Sequence, residues 1–259
     1  MSKIAITGKG GVGKTTLASL MAYILAEKGR QVYAIDADPN STLAQALGLP
    51  PELAAQVAPI VEMADLIEER TGARPGEYGR LFKMNPRVDD IPARFSVVYR
   101  NVHLLQMGTV RGAAMGCACP ENAVLKMLIT YLLLREEETV ILDMAAGLEH
   151  LGRGTAAAVD AMVAVVEPGM RSIDTAIAIS RLAGDLGITK FWVVGNKVRH
   201  KGDEVAIRDH LQGLPLVGWL PYSEQAVEAD LQNKALYDLA PDLVDRTRRI
   251  VSAVLAEDR

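Results

Sequence analysis

Cysteine, histidine, aromatic residues and long apolar runs are what this chain has least of. Its 259 residues include two cysteines, four histidines, three phenylalanines and two tryptophans. Two cysteines cannot build a disulfide framework, and their scarcity suits a reducing compartment. Aromatics are only 5% of the chain, so a core drawn from its 49% hydrophobic residues must consist of Ala, Val, Ile and Leu. No apolar stretch approaches the roughly 18–20 residues that a membrane span requires, and no membrane partner is expected. A formal net charge of −4 lacks the basic excess of a nucleic-acid binder, so no nucleic-acid partner is expected either. The chain enters its first apolar run almost at once, which gives the expectation of no signal peptide and a cytoplasmic location. Without a repeat, a low-complexity tract or a flexible linker, residues 1–259 are taken as one domain. That length is usual for one α/β sheet with its covering helices.

What is present begins with glycine. Gly8-Lys9-Gly10-Gly11-Val12-Gly13-Lys14-Thr15-Thr16 follows the apolar run Ile4-Ala5-Ile6-Thr7 and opens an amphipathic segment over 17–28. Strand, Gly-rich loop and helix, with Gly8 four residues before Gly13-Lys14-Thr15, make a P-loop. Glycines let the backbone turn its N–H groups inward onto phosphate oxygens, and the helix N-terminus adds free N–H groups and partial positive charge. Lys14 then reaches the β- and γ-phosphates, and the Thr15 hydroxyl holds Mg²⁺. The alternative is a glycine-rich turn without a ligand.

The rest of the pattern predicts strands over 32–35, 95–99, 102–107, 139–142, 161–166, 191–194 and 216–219. Helices are expected over 43–47, 64–69, 121–134, 173–186, 204–211, 223–231 and 239–255. Alternating strands and helices predict an α/β fold: a single-domain P-loop NTPase, its mostly parallel central sheet covered by helices on both faces. Residues 50–92 lack the apolar content for a core of their own and are expected to lie over the sheet as an insertion of loops and helix. Within it, Arg74-Pro75-Gly76, Asn85-Pro86 and Ile91-Pro92 are expected in turns or loops.

Lys9 is the first residue that the plain motif does not require. With it, the loop resembles the deviant Walker A group of dimeric P-loop ATPases, which includes the nitrogenase iron protein, the Min and Par positioning ATPases and several metallochaperones. The resemblance implies a homodimer in which Lys9 reaches across the interface to the partner's ATP. It implies that Asp38 positions or deprotonates the attacking water, and that Asp36 helps to organise the Mg²⁺ shell. The alternative for either aspartate is a helix N-cap, and the functional role is the favoured reading of both. Asp143-Met144-Ala145-Ala146-Gly147 matches a Walker B carboxylate running into a switch loop. Asp143 then binds Mg²⁺ through water, and the Gly147 N–H senses the γ-phosphate. Asn196-Lys197 follows the strand over 191–194. In this group the asparagine takes adenine, since an amide donates and accepts together. A turn asparagine is the alternative. Pro221-Tyr222-Ser223 resembles, less closely, the second loop that touches the adenine in this group.

The two cysteines stand together in Gly116-Cys117-Ala118-Cys119-Pro120-Glu121, a loop before a helix whose first position suits Pro120. A thiol beside a helix N-terminus has its pKa lowered, which favours the metal-binding thiolate. Cys117 and Cys119 of one chain offer two ligands, and two copies across a dimer axis offer four. A tetrahedral set suits Zn²⁺, and a planar one Ni²⁺. The alternative is a pair of unliganded thiols in a turn. This loop, the stretch over 82–92 beginning Phe82-Lys83-Met84-Asn85-Pro86, and the stretch from Ile141 to Thr155 resemble the CooC-type maturation ATPases, a likeness over essentially the whole chain. The resemblance implies an ATPase that binds nickel at a dimer-bridging C-x-C site and helps to load a nickel enzyme, carbon monoxide dehydrogenase or acetyl-CoA synthase. His150 and Met115 are better explained as structural residues than as ligands, and so is Met107. Two other classes compete. A positioning ATPase needs a basic anchor, and only Arg246, Arg248 and Arg249 cluster here. An iron–sulfur reductase of the nitrogenase type draws its cysteines from two separated segments, unlike this loop.

Overall fold

A computed structural model describes residues 2–77, 80–109, 119–135, 138–146 and 158–256. Eight strands form one sheet: β1 (Lys3–Thr7), β2 (Val32–Ala37), β3 (Val97–Tyr99), β4 (Val102–Gln106), β5 (Thr139–Met144), β6 (Ala161–Val166), β7 (Phe191–Val198) and β8 (Leu216–Pro221). Their spatial order is β3-β4-β2-β5-β1-β6-β7-β8. Only β3 runs antiparallel, as a hairpin with β4 turned through Arg100 and Asn101 at positive φ. Every other pair is parallel, as expected.

The central strands are buried on both faces, which is why they are continuous apolar runs rather than alternating ones. Successive side chains nevertheless sort into two cores. Ile4, Ile6, Ala34, Ile141, Val163 and Val165 pack beneath α1 (Lys14–Glu27), α2 (Leu43–Ala46) and the C-terminal helix. Ala5, Ile35, Val140, Leu142, Met162 and Ala164 pack on the other face. Helices therefore cover both sides of the sheet.

Residues 50–92 hold more helix than their sequence predicts: α3 (Pro51–Ala54), a 3₁₀ turn (Ile60–Glu62), α4 (Ala64–Thr71) and, running just past the segment, α5 (Ile91–Phe95). Ile91-Pro92 thus opens a helix instead of forming a loop, because proline's fixed φ suits a first turn. The same helix takes Phe95 out of the expected strand. Ile60, Val61, Leu66, Ile67, Val88 and Ile91 join the main core against α6 (Pro120–Leu134).

Among the described residues the remaining helices are α7 (Met170–Asp185), α8 (Lys201–His210), α9 (Glu224–Leu231), α10 (Leu236–Leu239) and α11 (Pro241–Leu255). The single helix expected over 239–255 is broken at Ala240, ahead of Pro241. Among the described residues no helix is long and apolar enough to cross a membrane.

Candidate functional site

Residues 8–13 link β1 to α1 at the carboxyl edge of the sheet, where ligands bind in open α/β folds. Two glycines are forced by space as well as by φ. Gly8 (φ 139°) lies against the Val165 carbonyl, where a Cβ has no room, and a Cβ on Gly13 (φ 97°) would collide with the Asn196 amide. Val12 is buried beneath the loop, while Gly10 and Gly11 are exposed at its tip. Lys14 and Thr15 open α1 with Thr16.

Parallel register delivers the carboxylates. Asp36 pairs with Asp143 across β2 and β5, and Ile6 pairs with Asp143 across β1 and β5. Thr15 Oγ1 donates to Asp143 Oδ2 at 2.6 Å. The other oxygen, Oδ1, is buried without a hydrogen-bond partner among the described residues. Burial, more than the neighbouring charges of Asp36 and Asp38, pushes the Asp143 carboxyl up to about 7. Burial also raises Asp36, to about 6, against hydrogen bonds from the backbone. Those bonds come from Leu43 N–H at 3.0 Å and Asp38 N–H at 3.3 Å. Asp36 therefore braces the first residue of α2 from within β2, although the N-cap residue of that helix is Thr42 and not Asp36. Lys14 is almost fully buried, and its ammonium lies 3.3 Å from the Asp38 carboxylate. Asp38 also accepts from Asn40 N–H at 2.9 Å.

A cleft of about 340 Å³ runs from this edge toward α9 and α10. Gly11, Gly13, Thr15, Thr16, Asn196, Lys197 and Pro221 line it. Asn196 Nδ2 donates to the Val12 carbonyl at 2.7 Å, so this amide braces the loop as well as facing the cleft. One amide hydrogen and the carbonyl oxygen remain for another partner. Contrary to expectation, Asn196 and Lys197 lie inside β7 rather than after it, at an irregularity of the strand. Asp143 likewise lies inside β5, which continues through Met144.

Lys9 is placed apart from the buried group. It is 41% exposed and meets Glu167 at 3.6 Å. Glu167 and the Thr7 hydroxyl, which donates to the Ala145 carbonyl at 3.0 Å, are site residues that the sequence did not point out. Glu167 had one available signal, its position immediately after an apolar run that ends at the same sheet edge. Cys119 is half-buried and extended, directly before α6, which begins at Pro120 as expected. Cys117, Gly147, Met115 and His150 lie outside the described residues. Met107 is fully buried in the core. Among the described residues no group of three or more His, Cys, Asp or Glu side chains is placed to hold a metal.

With this geometry in view, comparison with known proteins places the chain. The family described as the CobQ/CobB/MinD/ParA nucleotide binding domain matches residues 3–236. The chain is 44% identical over 253 residues to the carbon monoxide dehydrogenase accessory protein CooC of Rhodospirillum rubrum, covering 98% of this chain and 96% of that one. It is 44% identical over 237 residues to an ATP-binding protein of Methanocaldococcus jannaschii, covering 90% of each. Among solved structures, a chain of the MinC:MinD cell division protein complex of Aquifex aeolicus superposes with a TM-score of 0.69. Its sequence is 21% identical, with 100% of this chain and 97% of that one covered, a likeness of fold.

Proposed function

The chain belongs to the CobQ/CobB/MinD/ParA nucleotide-binding family, and from that premise we propose that it is a Mg²⁺-dependent dimeric ATPase of the deviant Walker A kind that binds nickel and helps to load it into carbon monoxide dehydrogenase. One observation carries the ATPase reading. Lys14, Thr15, Asp36, Asp38 and Asp143, drawn from three separate segments, converge at one sheet edge beneath a glycine-rich loop.

The N–H groups of residues 8–16, with Lys14, are assigned the phosphates. The Lys14 ammonium lies 3.3 Å from the Asp38 carboxylate. Asp38, set beside the lysine assigned to the phosphates, is assigned the orientation of the attacking water. Thr15 and Asp143 are assigned Mg²⁺, with Asp36 acting through water. The residues fit a hard cation: all three supply oxygen, and Asp143 keeps a buried oxygen without a partner among the described residues. When bound, the ion offsets charge on the phosphates and holds them in line. Asn196 selects adenine beside Lys197 and Pro221, Lys9 reaches the nucleotide of the partner subunit, and the Gly147 N–H is assigned the γ-phosphate.

Nickel is cargo. Two copies of Cys117 and Cys119 supply four thiolates, and the position of Cys119 at the N-terminus of α6 favours its ionised form. Zn²⁺ can occupy the same thiolates. Hydrolysis then opens the dimer, separates the thiolate pairs and frees the ion. The accessory role of the 44%-identical CooC supports carbon monoxide dehydrogenase as the client. The same activity serving acetyl-CoA synthase differs only in its client. A positioning ATPase gains no support from the C-terminal basic cluster, because Arg248 is already paired with Glu27 at 2.8 Å.

Ni²⁺ titration with a non-hydrolysable ATP analogue tests the assignment. Saturation near half an ion per chain is expected, abolished by Cys119→Ser. A full ion retained by a strictly monomeric protein would overturn the shared site.

A further inference from the structure

Two lysines from distant parts of the chain converge on one carboxylate. Glu167 follows β6 directly, and Val166 pairs with Gly195 of β7, so Glu167 stands beside residues 196 and 197. Its backbone is fixed by an N–H bond to Ser172 Oγ at 3.1 Å. Lys197 has a φ of 56°, a left-handed conformation uncommon for a residue with a side chain. From there its ammonium donates to the Gly11 carbonyl at 2.6 Å and pairs with Glu167 at 3.2 Å. Lys9 approaches the same carboxylate from the loop tip at 3.6 Å.

We propose that Glu167 is a positioning residue that holds Lys9 on its own subunit until a nucleotide-loaded partner draws it away. The inference rests on the trans role assigned to Lys9 above. Lys197 is what makes the hold reversible. A carboxylate with one partner is left unpaired when that partner departs, whereas Glu167 keeps Lys197 in either state. Departure of Lys9 therefore gives up one half-exposed ion pair and nothing more. Such pairs are weak, so the hold shifts an equilibrium by about two- to five-fold rather than blocking it. That is the range in which a cation is retained in the monomer yet remains available to a partner.

Glu167→Gln keeps the shape and removes the charge. Sedimentation with a non-hydrolysable ATP analogue should show the variant dimerising at a concentration about two- to five-fold lower than wild type. In a Lys9→Ala background the same substitution should change nothing, since the group being held is gone. An independent measurement follows Lys9 in nucleotide-free protein, by the rate at which an amine-acetylating reagent modifies it. Glu167→Gln should accelerate labelling of Lys9 by a similar factor, and Glu167→Asp should restore slow labelling. Unchanged labelling in Glu167→Gln, or an equal dimer shift with and without Lys9, would overturn the inference. A Lys9→Ala protein that dimerises like wild type, while Glu167→Gln still accelerates labelling, would instead overturn the trans role, and this inference with it, although the ion pair stands.

Discussion

The floor and the rim of the nucleotide cleft treat charge in opposite ways. On the floor, Lys14, Asp36 and Asp143 are each less than a tenth exposed and are fixed by α1 and by the register of β1, β2 and β5. On the rim, Lys9, Glu167 and Lys197 are between about a quarter and two-fifths exposed and meet at 3.6 and 3.2 Å. Buried charge is costly unless it is well paired. The floor therefore works against the stability of the empty protein and is explained by what it binds. The rim costs the fold little, and its pairs can be exchanged. Rigid, expensive charge suits chemistry, and loose, cheap charge suits assembly.

Breaking the floor should have the largest effect. Lys14→Ala should lower phosphate release by roughly 100-fold or more, the scale expected when a charge-stabilising group is lost from a phosphoryl-transfer site. Near-normal release from that variant would remove Lys14 from the chemistry. The second test asks whether the floor opposes folding. In the unfolded chain Asp143 titrates near 3.8, and in the folded protein near 7. Between those values the folded state holds a proton that the unfolded state has lost, so stability falls as pH rises from about 4 to about 7. Asp36 adds the same trend up to about 6. Asp143→Asn should therefore raise the Tm of nucleotide-free protein at pH 8 by several degrees, and the gain should shrink toward pH 4. Thermal scans showing an equal gain at both pH values would refute the buried-charge account. The third test lies at the boundary between floor and rim. Asn196→Ala removes the bond to Val12 and should weaken ATP binding by about five- to ten-fold. It should also erode the preference for ATP over GTP, both effects being measured by parallel titrations.

The parts legible in the sequence are those buried on both faces. Strands β1, β2, β5 and β6 are uninterrupted apolar runs, and their starts and ends were found within one or two residues. Where the site intrudes, the pattern fails. Gly195, Asn196 and Lys197 interrupt the apolar run of β7, so the strand was ended at Val194, although it continues to Val198. Asp143 is read as the end of β5 for the same reason, although the strand continues through Met144. The helices α3 and α5 were missed because each is a single turn begun by or near proline, too short to show a period. Glu167 has no local motif because its partners lie far along the chain, one on each side, and only the registers of β1 and β7 with β6 bring them to it. The glycine-rich loop carries a local signature that reaches Lys9 and Lys14 alike. Glu167, which joins Lys9 to Lys197, has no such signature.

Helix α6 and strand β5 form one long out-and-back excursion of the chain. Fifteen helical residues span about 22 Å and the six of the strand about 20 Å. The two lengths nearly match, so the chain leaves the carboxyl edge of the sheet at Cys119 and returns to it at Asp143, with Arg135 and Glu138 paired at 3.0 Å beside the far turn. β5 is held on both sides by β1 and β2, so the return end is fixed by the sheet and the outgoing end only by the packing of α6. One cysteine and the buried carboxylate are thus brought to the same edge by ordinary chain geometry.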